Sequence, residues 1–147
     1  MAKSYFPPMH TAEHILNQTM LQMLTKERSF SAHLERKKSK CDYHFHRNLS
    51  EIEIVELQNK VNEIIDKNLY IEESFINLEE AKKDFSISKL PIDAGEEIRI
   101  IKVGDYDSCL CIGEHVNNTS EIGIFRIVST SYNESVLRIR FKLLPRE

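Results

Sequence analysis

The sequence lacks the features that mark several large classes of protein. No apolar run in its 147 residues approaches the roughly 18 residues of a membrane span. The first eight residues lack the apolar stretch of a signal peptide, and the chain contains no internal repeat or low-complexity segment. These absences predict a cytoplasmic protein with no membrane partner. The length suits one domain, residues 1–147, with a core of its own.

Cysteine and net charge are also low. Three cysteines are an odd number in a chain without an export signal, which argues against a disulfide framework and for free thiols or a metal ligand. Cys111 is the candidate ligand, and we expect Cys109 to lie deeper in the core. The net charge of −3 gives no overall electrostatic footprint for nucleic acid, so any contact with RNA must be local.

Two short runs each contain a pair of potential metal ligands four residues apart. His10 and His14 begin a predicted amphipathic helix, where this spacing places both imidazoles on one face. Cys111 and His115 have the same spacing, with Gly113 between them to let the backbone bend around an ion. Either pair alone is weak evidence. Together, three nitrogens and a sulfur suit a tetrahedral zinc site, and the helix N-terminus should keep its histidines neutral.

Hydrophobic periodicity predicts helices early in the chain and strands late in it. A capping box at Ser50 and Glu53 marks the start of the second helix. This order favours an α+β fold with a mainly antiparallel sheet packed against helices. The predicted helices cover residues 7–25, 51–67 and a short segment from 77, and the predicted strands cover 29–35, 40–46, 69–76, 97–103, 108–112, 122–129 and 135–144.

Two further patterns have plain explanations. In the strand over 40–46, alternation sends Cys41 to the face opposite His44 and His46, so these three residues should not share an ion. The two histidines indicate a polar strand face, with a pocket lining as the alternative. The basic turn over 36–39 and the alternating cations of residues 138–142 are typical of solvated surface, which we favour over contacts with RNA phosphates.

The two ligand pairs also lie in runs that resemble a known family. His10-Thr11-Ala12-Glu13-His14-Ile15-Leu16 resembles the first zinc motif of the editing domain of alanyl-tRNA synthetase and of its free-standing relatives, the AlaX proteins. Residues 111–123 resemble the second motif, usually written Cys-Gly-Gly-Thr-His-Val followed by an Asn-Thr-Gly-Glu-Ile-Gly turn. Residues 61–65 and 79–81 match the family's middle helices in order. The chain is therefore similar to the small form of AlaX, without a synthetase core or the N-terminal barrel of longer relatives.

The resemblance implies a function. It implies hydrolysis of the ester that joins a wrong amino acid, serine or glycine, to tRNA for alanine, with Zn²⁺ as cofactor and the aminoacyl-tRNA acceptor end as partner. The implied zinc ligands are His10, His14, Cys111 and His115. Because four protein ligands would close a tetrahedral site, a non-catalytic zinc-stapled module that binds tRNA or a protein is the alternative. A zinc hydrolase of a small ester or amide is another.

The chain departs from the family pattern beside the presumed ion. Glu114 stands where the family has threonine, and Glu13 stands where it often has a hydroxyl residue. Glu114 is a candidate general base or clamp for the substrate's ammonium group, whereas we expect Glu13 to face solvent or to support the histidines. Thr11 and Ser31 are candidates for the residue that senses the substrate hydroxyl.

Overall fold

The structure of the protein is a computed structural model that describes residues 6–77, 79 and 97–145. In the described part of the chain, two helices and seven strands form an α+β arrangement, as the sequence predicts. The elements in order are α1 (Pro7–Met23), β1 (Ser31–His33), β2 (Ser39–His44), α2 (Glu51–Ile65), β3 (Ile71–Asn77), β4 (Glu97–Val103), β5 (Asp107–Leu110), the 3-10 turn η1 (Thr119–Glu121), β6 (Ile124–Asn133) and β7 (Val136–Leu144).

Helix α1 begins with two prolines, whose missing N–H groups would have no helical partner in the first turn. Ten of its side chains are buried, more than a single core-facing stripe would provide. The helix contacts both sheets, since Asn17 accepts a hydrogen bond of 2.7 Å from Tyr43 of β2 and Gln18 donates one of 2.7 Å to the carbonyl of Tyr106, next to β5. It therefore lies in the centre of the fold.

Helix α2 starts at the predicted capping box. The Ser50 hydroxyl accepts from the Glu53 N–H at 3.2 Å, and the Glu53 carboxylate accepts from the Ser50 N–H at 2.9 Å. Both interactions satisfy donors that a helix N-terminus leaves unpaired. The apolar stripe packs into the core through Leu57, Val61, Ile64 and Ile65.

The strands form two antiparallel sheets, one with the order β1-β2-β7-β6 and one with the order β3-β4-β5. In β7 the side chains of Leu137, Ile139 and Phe141 are fully buried, which confirms the predicted alternation of core and basic residues. The same alternation buries Cys41 in β2 and leaves His44 exposed. The inner face of the four-stranded sheet thus packs on the helices, and its outer face carries the cations.

The free edge of β6 is covered by side chains from α2. Asn62 donates to the carbonyl of Phe125 and accepts from its N–H, both at 2.8 Å. Gln58 accepts from the N–H of Ile127 at 2.8 Å. These carboxamides replace hydrogen bonds of a neighbouring strand, so both backbone groups of Phe125 and the N–H of Ile127 are not available to another chain.

Strand β6 begins at Ile124, two residues later than predicted, and continues to Asn133. Gly123 accounts for the late start, because its φ is +92° and a Cβ there would overlap the carbonyl oxygen of Leu144. The backbone bends at this glycine after η1 and only then enters the sheet.

The short helix predicted from Asn77 lies outside the described residues, apart from Asn77 and Glu79. Among the residues that the structure describes, no helix is long and apolar enough to cross a membrane.

Candidate metal centre

The first half of the centre is a regular helix. His10 and His14 project from the same side of α1, with ring centroids 5.1 Å apart, as their spacing predicts. Both side chains are buried, with 6% and 3% of their surface exposed. The helix therefore places both imidazoles on one face.

The second half is a loop that begins where β5 ends at Leu110. Arg99 of β4 holds its first turn, because its Nη1 donates to the carbonyls of Cys111 at 3.3 Å and Gly113 at 2.6 Å. The guanidinium is held in turn by Glu73 of β3, with Nε 2.6 Å from the carboxylate. The loop backbone is therefore attached to the three-stranded sheet through the side chain of Arg99 and through its carbonyl, which accepts from the Cys111 N–H at 3.3 Å.

Gly113 allows the loop to approach α1. A Cβ at this position would overlap the His10 ring and lie 2.5 Å from its Nδ1. The sequence pattern attributed this glycine to a bend around an ion, whereas the structure shows that it makes room for a ligand ring.

The far end of the loop is attached to the segment between α2 and β3. Ile71 donates to the carbonyl of Asn117 at 2.9 Å, and Thr119 donates to the carbonyl of Leu69 at 2.9 Å. Asn118 then caps η1, so the chain on the C-terminal side of His115 is fixed as firmly as the chain on its N-terminal side.

The four predicted ligands converge. Cys111 Sγ lies 3.3 Å from His10 Nε2 and 3.4 Å from His115 Nε2, and one ligand atom from each of the four residues lies within 4.8 Å of all the others. A tetrahedral zinc ion with ordinary bond lengths has ligand atoms roughly 3.3–3.6 Å apart. The two distances from Cys111 Sγ fit this geometry, and the four residues could hold a metal ion.

Each histidine of the cluster has a partner or a close neighbour at Nδ1. His10 Nδ1 lies 3.1 Å from the carbonyl oxygen of Glu114, His115 Nδ1 lies 2.9 Å from the Thr11 hydroxyl, and His14 Nδ1 lies 3.5 Å from the carboxylate of Asp107. Carbonyl, hydroxyl and carboxylate groups are the usual second partners of metal-bound histidine, because they fix the tautomer and orient the ring.

The Thr11 hydroxyl contacts His115 Nδ1 at 2.9 Å. It also lies 3.2 Å from the carbonyl of Pro7, to which it can donate, and accepts from the N–H of Val116 at 3.3 Å. With its proton directed to Pro7, the hydroxyl can only accept from His115 Nδ1–H, and that tautomer would direct the Nε2 lone pair at Cys111.

The electrostatics of the cluster favour a positive charge at its centre. Burial would raise the pKa of the Cys111 thiol, but the surrounding imidazoles outweigh this effect and lower it to about 3. Burial would lower the pKa of His14, but the Asp107 carboxylate and the Cys111 thiolate raise it to about 9. Burial and the neighbouring imidazoles lower the pKa of His115 to about 4. That the helix N-terminus keeps both of its histidines neutral for a metal stays a prediction.

Asp107 and Arg28 form part of the centre that sequence reasoning did not identify. The two side chains make a bidentate pair at 2.9 and 3.0 Å, and the Asp107 carboxylate is buried. Burial opposes ionisation, yet His14 and Arg28 hold the pKa of Asp107 below its usual value. The available signal was strand alternation, which places Asp107 on the same face as Cys111.

Glu13 and the three catalytic candidates occupy different surroundings. The Glu13 side chain is 15% exposed, with Oε1 3.8 Å from His10 Nε2. The Glu114 side chain is exposed, and its backbone carbonyl is the group that faces the cluster. Thr11 has three hydrogen-bond partners already, so it is a positioning residue. Ser31 is exposed on β1, opposite Asp42, on the outer face of the sheet, which removes it from the candidate site.

The remaining histidines and cysteines lie apart from the cluster. His44 stacks on Phe30 with centroids 4.0 Å apart, and His46 contacts Phe45. Burial raises the pKa of the Cys41 thiol well above its ordinary value and raises that of Cys109 to about 11. Neither thiol has the imidazole neighbours that make Cys111 a ready ligand.

Comparison with known proteins places these features in a family. Residues 98–140 match the family described as threonyl and alanyl tRNA synthetase second additional domain. The chain is 34% identical over 123 residues to alanine–tRNA ligase of Fervidobacterium nodosum and to that of Caldicellulosiruptor saccharolyticus. It is 32% identical over 121 residues to the chloroplastic/mitochondrial alanine–tRNA ligase of Oryza sativa subsp. indica. These matches cover 82–83% of this chain but only 12–14% of the ligases.

Proposed function

Because the chain is related to the editing domain of threonyl- and alanyl-tRNA synthetases, we propose that it is a zinc-dependent deacylase that hydrolyses mischarged aminoacyl-tRNA in trans. The proposed substrate is serine or glycine in ester linkage to the terminal ribose of tRNA for alanine, as in the small form of AlaX. The proposed partner is the acceptor end of the aminoacyl-tRNA.

The observation that carries the proposal is the orientation of the three imidazoles. Carbonyl, hydroxyl and carboxylate groups lie next to the three Nδ1 atoms, while Nε2 of His10 and His115 faces the Cys111 thiolate. Groups on three separate segments of the chain produce this arrangement. Such preorganisation is what a metal centre requires and what a merely structural histidine cluster does not need.

Ester hydrolysis requires a nucleophilic water, a polarised carbonyl and a route for one proton. A zinc ion held by His10, His14, Cys111 and His115 would supply the positive charge that polarises the carbonyl or lowers the pKa of a water toward about 7. Water adds to the carbonyl carbon, the bond to the ribose oxygen breaks, and that oxygen takes up a proton. The products are a free amino acid and a free terminal hydroxyl, with no change in oxidation state.

Glu13 is the carboxylate best placed to move that proton. Its side chain is largely buried and lies within 3.8 Å of His10 Nε2, whereas the Glu114 side chain points to solvent. A general base has to reach the proton it removes, so geometry ranks Glu13 above Glu114. The backbone of Glu114 keeps a different role, because its carbonyl orients His10.

A non-catalytic module that binds tRNA or a protein is the second candidate. It is favoured by the number of ligands, since three imidazoles and a thiolate complete a tetrahedral shell and leave no position for water. On this alternative, zinc joins α1 to the loop over 111–115 and has no chemical role.

One assay separates the two candidates. Purified protein with about one zinc per chain is incubated with Ser-tRNA, Gly-tRNA and correctly charged Ala-tRNA, and released amino acid is measured. We expect release of serine or glycine well above the release of alanine. Binding of all three aminoacyl-tRNAs without release of amino acid would establish the non-catalytic module. Absence of both binding and release would reject both candidates.

Glu13→Gln tests the assignment of the base. We expect an unchanged zinc content and a deacylation rate lower by about 10²-fold or more, the usual contribution of a positioned acid–base group. Glu114→Gln and Glu114→Thr serve as matched controls and should change the rate little. A large loss of rate in Glu114→Gln, with Glu13→Gln active, would transfer the role to Glu114.

A further inference from the structure

The outer face of the four-stranded sheet and its β1–β2 turn concentrate positive charge on a chain whose net charge is −3. Eight of the 20 Lys and Arg residues lie in this region. We call it the basic band, and its members are Arg36, Lys37, Lys38, Lys40, Arg126, Arg138, Arg140 and Lys142.

Strand register arranges these cations in rows across the sheet. Arg126 lies opposite Lys142, in the row next to the β1–β2 turn. In the following row, Lys40 lies opposite Arg140. Side chains directly opposite each other in antiparallel strands share a face, so the cations of neighbouring strands are adjacent. Like charges side by side are unfavourable within a fold, which makes their clustering informative.

Among the described residues, the acidic side chain that makes an ion pair with a cation of the basic band is Asp42, at the end of the sheet far from the turn, whereas Glu35 beside the turn pairs with His33. Asp42 pairs with Arg138 at 2.7 Å, and the Arg138 guanidinium lowers the pKa of Asp42. In the described part of the chain, no ion pair engages the other four cations of the strands. Arg140 has only serine hydroxyls within reach, at 3.4 and 3.5 Å. The unneutralised charge therefore increases toward the β1–β2 turn.

The β1–β2 turn connects the basic band to the metal centre. The guanidinium of Arg36 lies 4.3 Å above the ring of Phe6, a cation–π contact at the start of α1. The carbonyl of Phe6 accepts from the N–H of His10 at 3.1 Å. The cations of the turn thus lie beside the first turn of the helix that carries two of the metal ligands.

From this arrangement we propose that the basic band binds the phosphate backbone of the tRNA whose acceptor end enters the metal centre. Cations share this face with the serine and histidine side chains of Ser31, His33 and His44, and these groups offer charge and hydrogen bonds to phosphates. Ile124 and Val128 of β6 are its exposed apolar side chains. Its position predicts that the RNA helix crosses the four-stranded sheet and leaves its terminal ribose beside α1. The inference rests on the proposed function for the identity of the RNA, but phosphate binding can be measured separately.

The test compares two triple variants with the same change in net charge. Arg126→Gln/Arg140→Gln/Lys142→Gln removes cations of the basic band, and Lys60→Gln/Lys67→Gln/Lys102→Gln removes cations of α2, the segment after it, and β4. Binding of unfractionated, uncharged tRNA is measured over a salt series. We expect the band variant to bind about 30-fold more weakly, with a log–log salt slope smaller by about 2–3, because each phosphate contact contributes about 0.9 to the slope. The control variant should match the wild type.

A small ester distinguishes failure of this inference from failure of the proposed function. Seryl adenosine carries no phosphate, so its hydrolysis should be the same for wild type and band variant while the KM for Ser-tRNA rises in the variant.

Unchanged tRNA binding by a folded band variant, or equal weakening by the control variant, overturns the inference. Binding to phosphatidylserine vesicles but not to tRNA overturns it in favour of a membrane surface. Absence of all ester hydrolysis, with tRNA binding still dependent on the band, rejects the proposed enzyme and retains the binding face.

Discussion

The two halves of the metal centre reach the same point by different means. In α1, the local hydrogen bonding of a helix sets the positions of His10 and His14 relative to each other. In the loop from Cys111 to His115, the positions are set by contacts with distant residues, namely Arg99 at one end and the backbone of 69–71 at the other. The helix half depends on spacing, and the loop half depends on the rest of the fold.

The difference teaches where the centre is vulnerable. A substitution in α1 that spares the ligands should change stability more than metal binding, since the helix is held along its whole length by buried side chains. A substitution near the loop should change metal binding more than stability, since few contacts hold each ligand there. The following predictions test this contrast.

Removal of a ligand should cause the largest loss of bound zinc. This loss should be the same whichever half of the centre the ligand belongs to. We expect Cys111→Ala and His14→Ala each to lose most of the bound zinc, because three remaining ligands no longer form a complete tetrahedral shell. Elemental analysis of purified protein is the measurement. Cys41→Ala and Cys109→Ala are the controls and should retain about one zinc per chain. An empty site in Cys41→Ala would contradict the choice of ligands.

Small-residue changes should separate the two halves. Gly113→Ala places a methyl group against the His10 ring, and overpacking of this kind costs about 1–3 kcal/mol, so zinc affinity should fall by about 100-fold. Ala12→Gly in α1 should instead lower the free energy of unfolding by about 1 kcal/mol and leave zinc affinity nearly unchanged. Competition with a chromophoric chelator and denaturant unfolding provide the two measurements. Equal losses of affinity in both variants would remove the distinction.

Thr11 lies in α1, but its hydroxyl contacts His115 of the loop. It therefore tests whether a helix residue that contacts the loop changes metal binding. Thr11→Val keeps the shape of the side chain and removes the hydroxyl that orients His115. Zinc affinity should fall by about 10-fold, the lower end of the range for partners of metal-bound histidine. Thr11→Ser restores the hydroxyl and should restore affinity. If Thr11→Val binds zinc as tightly as the wild type, the His115 ring is positioned by something else.

The smallest effect is expected at the point where the loop leaves the sheet. Arg99→Gln removes the donors to the carbonyls of Cys111 and Gly113. Two net hydrogen bonds of about 1 kcal/mol each set an upper limit of roughly 30-fold on the loss of zinc affinity. Because water can replace the lost donors, we expect zinc affinity to fall by about 5-fold. Glu73→Gln removes only the exposed support of Arg99 and should change affinity less than that. A larger effect of Glu73→Gln than of Arg99→Gln would contradict this account of the loop.

The same contrast explains what could be predicted from the sequence. Helix positions follow from periodicity and caps, so α1, α2 and the capping box at Ser50 were predicted within about two residues. The four residues of the cluster were also identified, although the spacing of Cys111 and His115 says nothing by itself about a loop. The family resemblance indicated that the two pairs form one site. In the structure, the ligand atoms of both pairs lie close together.

The residues that support the ligands were harder to predict. Arg99 and the backbone carbonyl of Glu114 act on the cluster only because strands distant in sequence lie side by side, and no local pattern records this. Thr11 was a candidate for the residue that senses the substrate hydroxyl, but its own hydroxyl already bonds to His115 and Val116. Asp107 was not predicted, although strand alternation places it on the face of Cys111.

Asn62 of α2 has a consequence for the assembly of the whole fold. Its carboxamide pairs with both the N–H and the carbonyl of Phe125, and a shift of β6 by one residue would present a backbone with those groups directed the other way. Docking of α2 therefore discriminates between alignments of β6 along β7, and only the native one satisfies the helix. Helix α2 therefore favours the native alignment of β6 in the same sheet whose outer face carries the basic band.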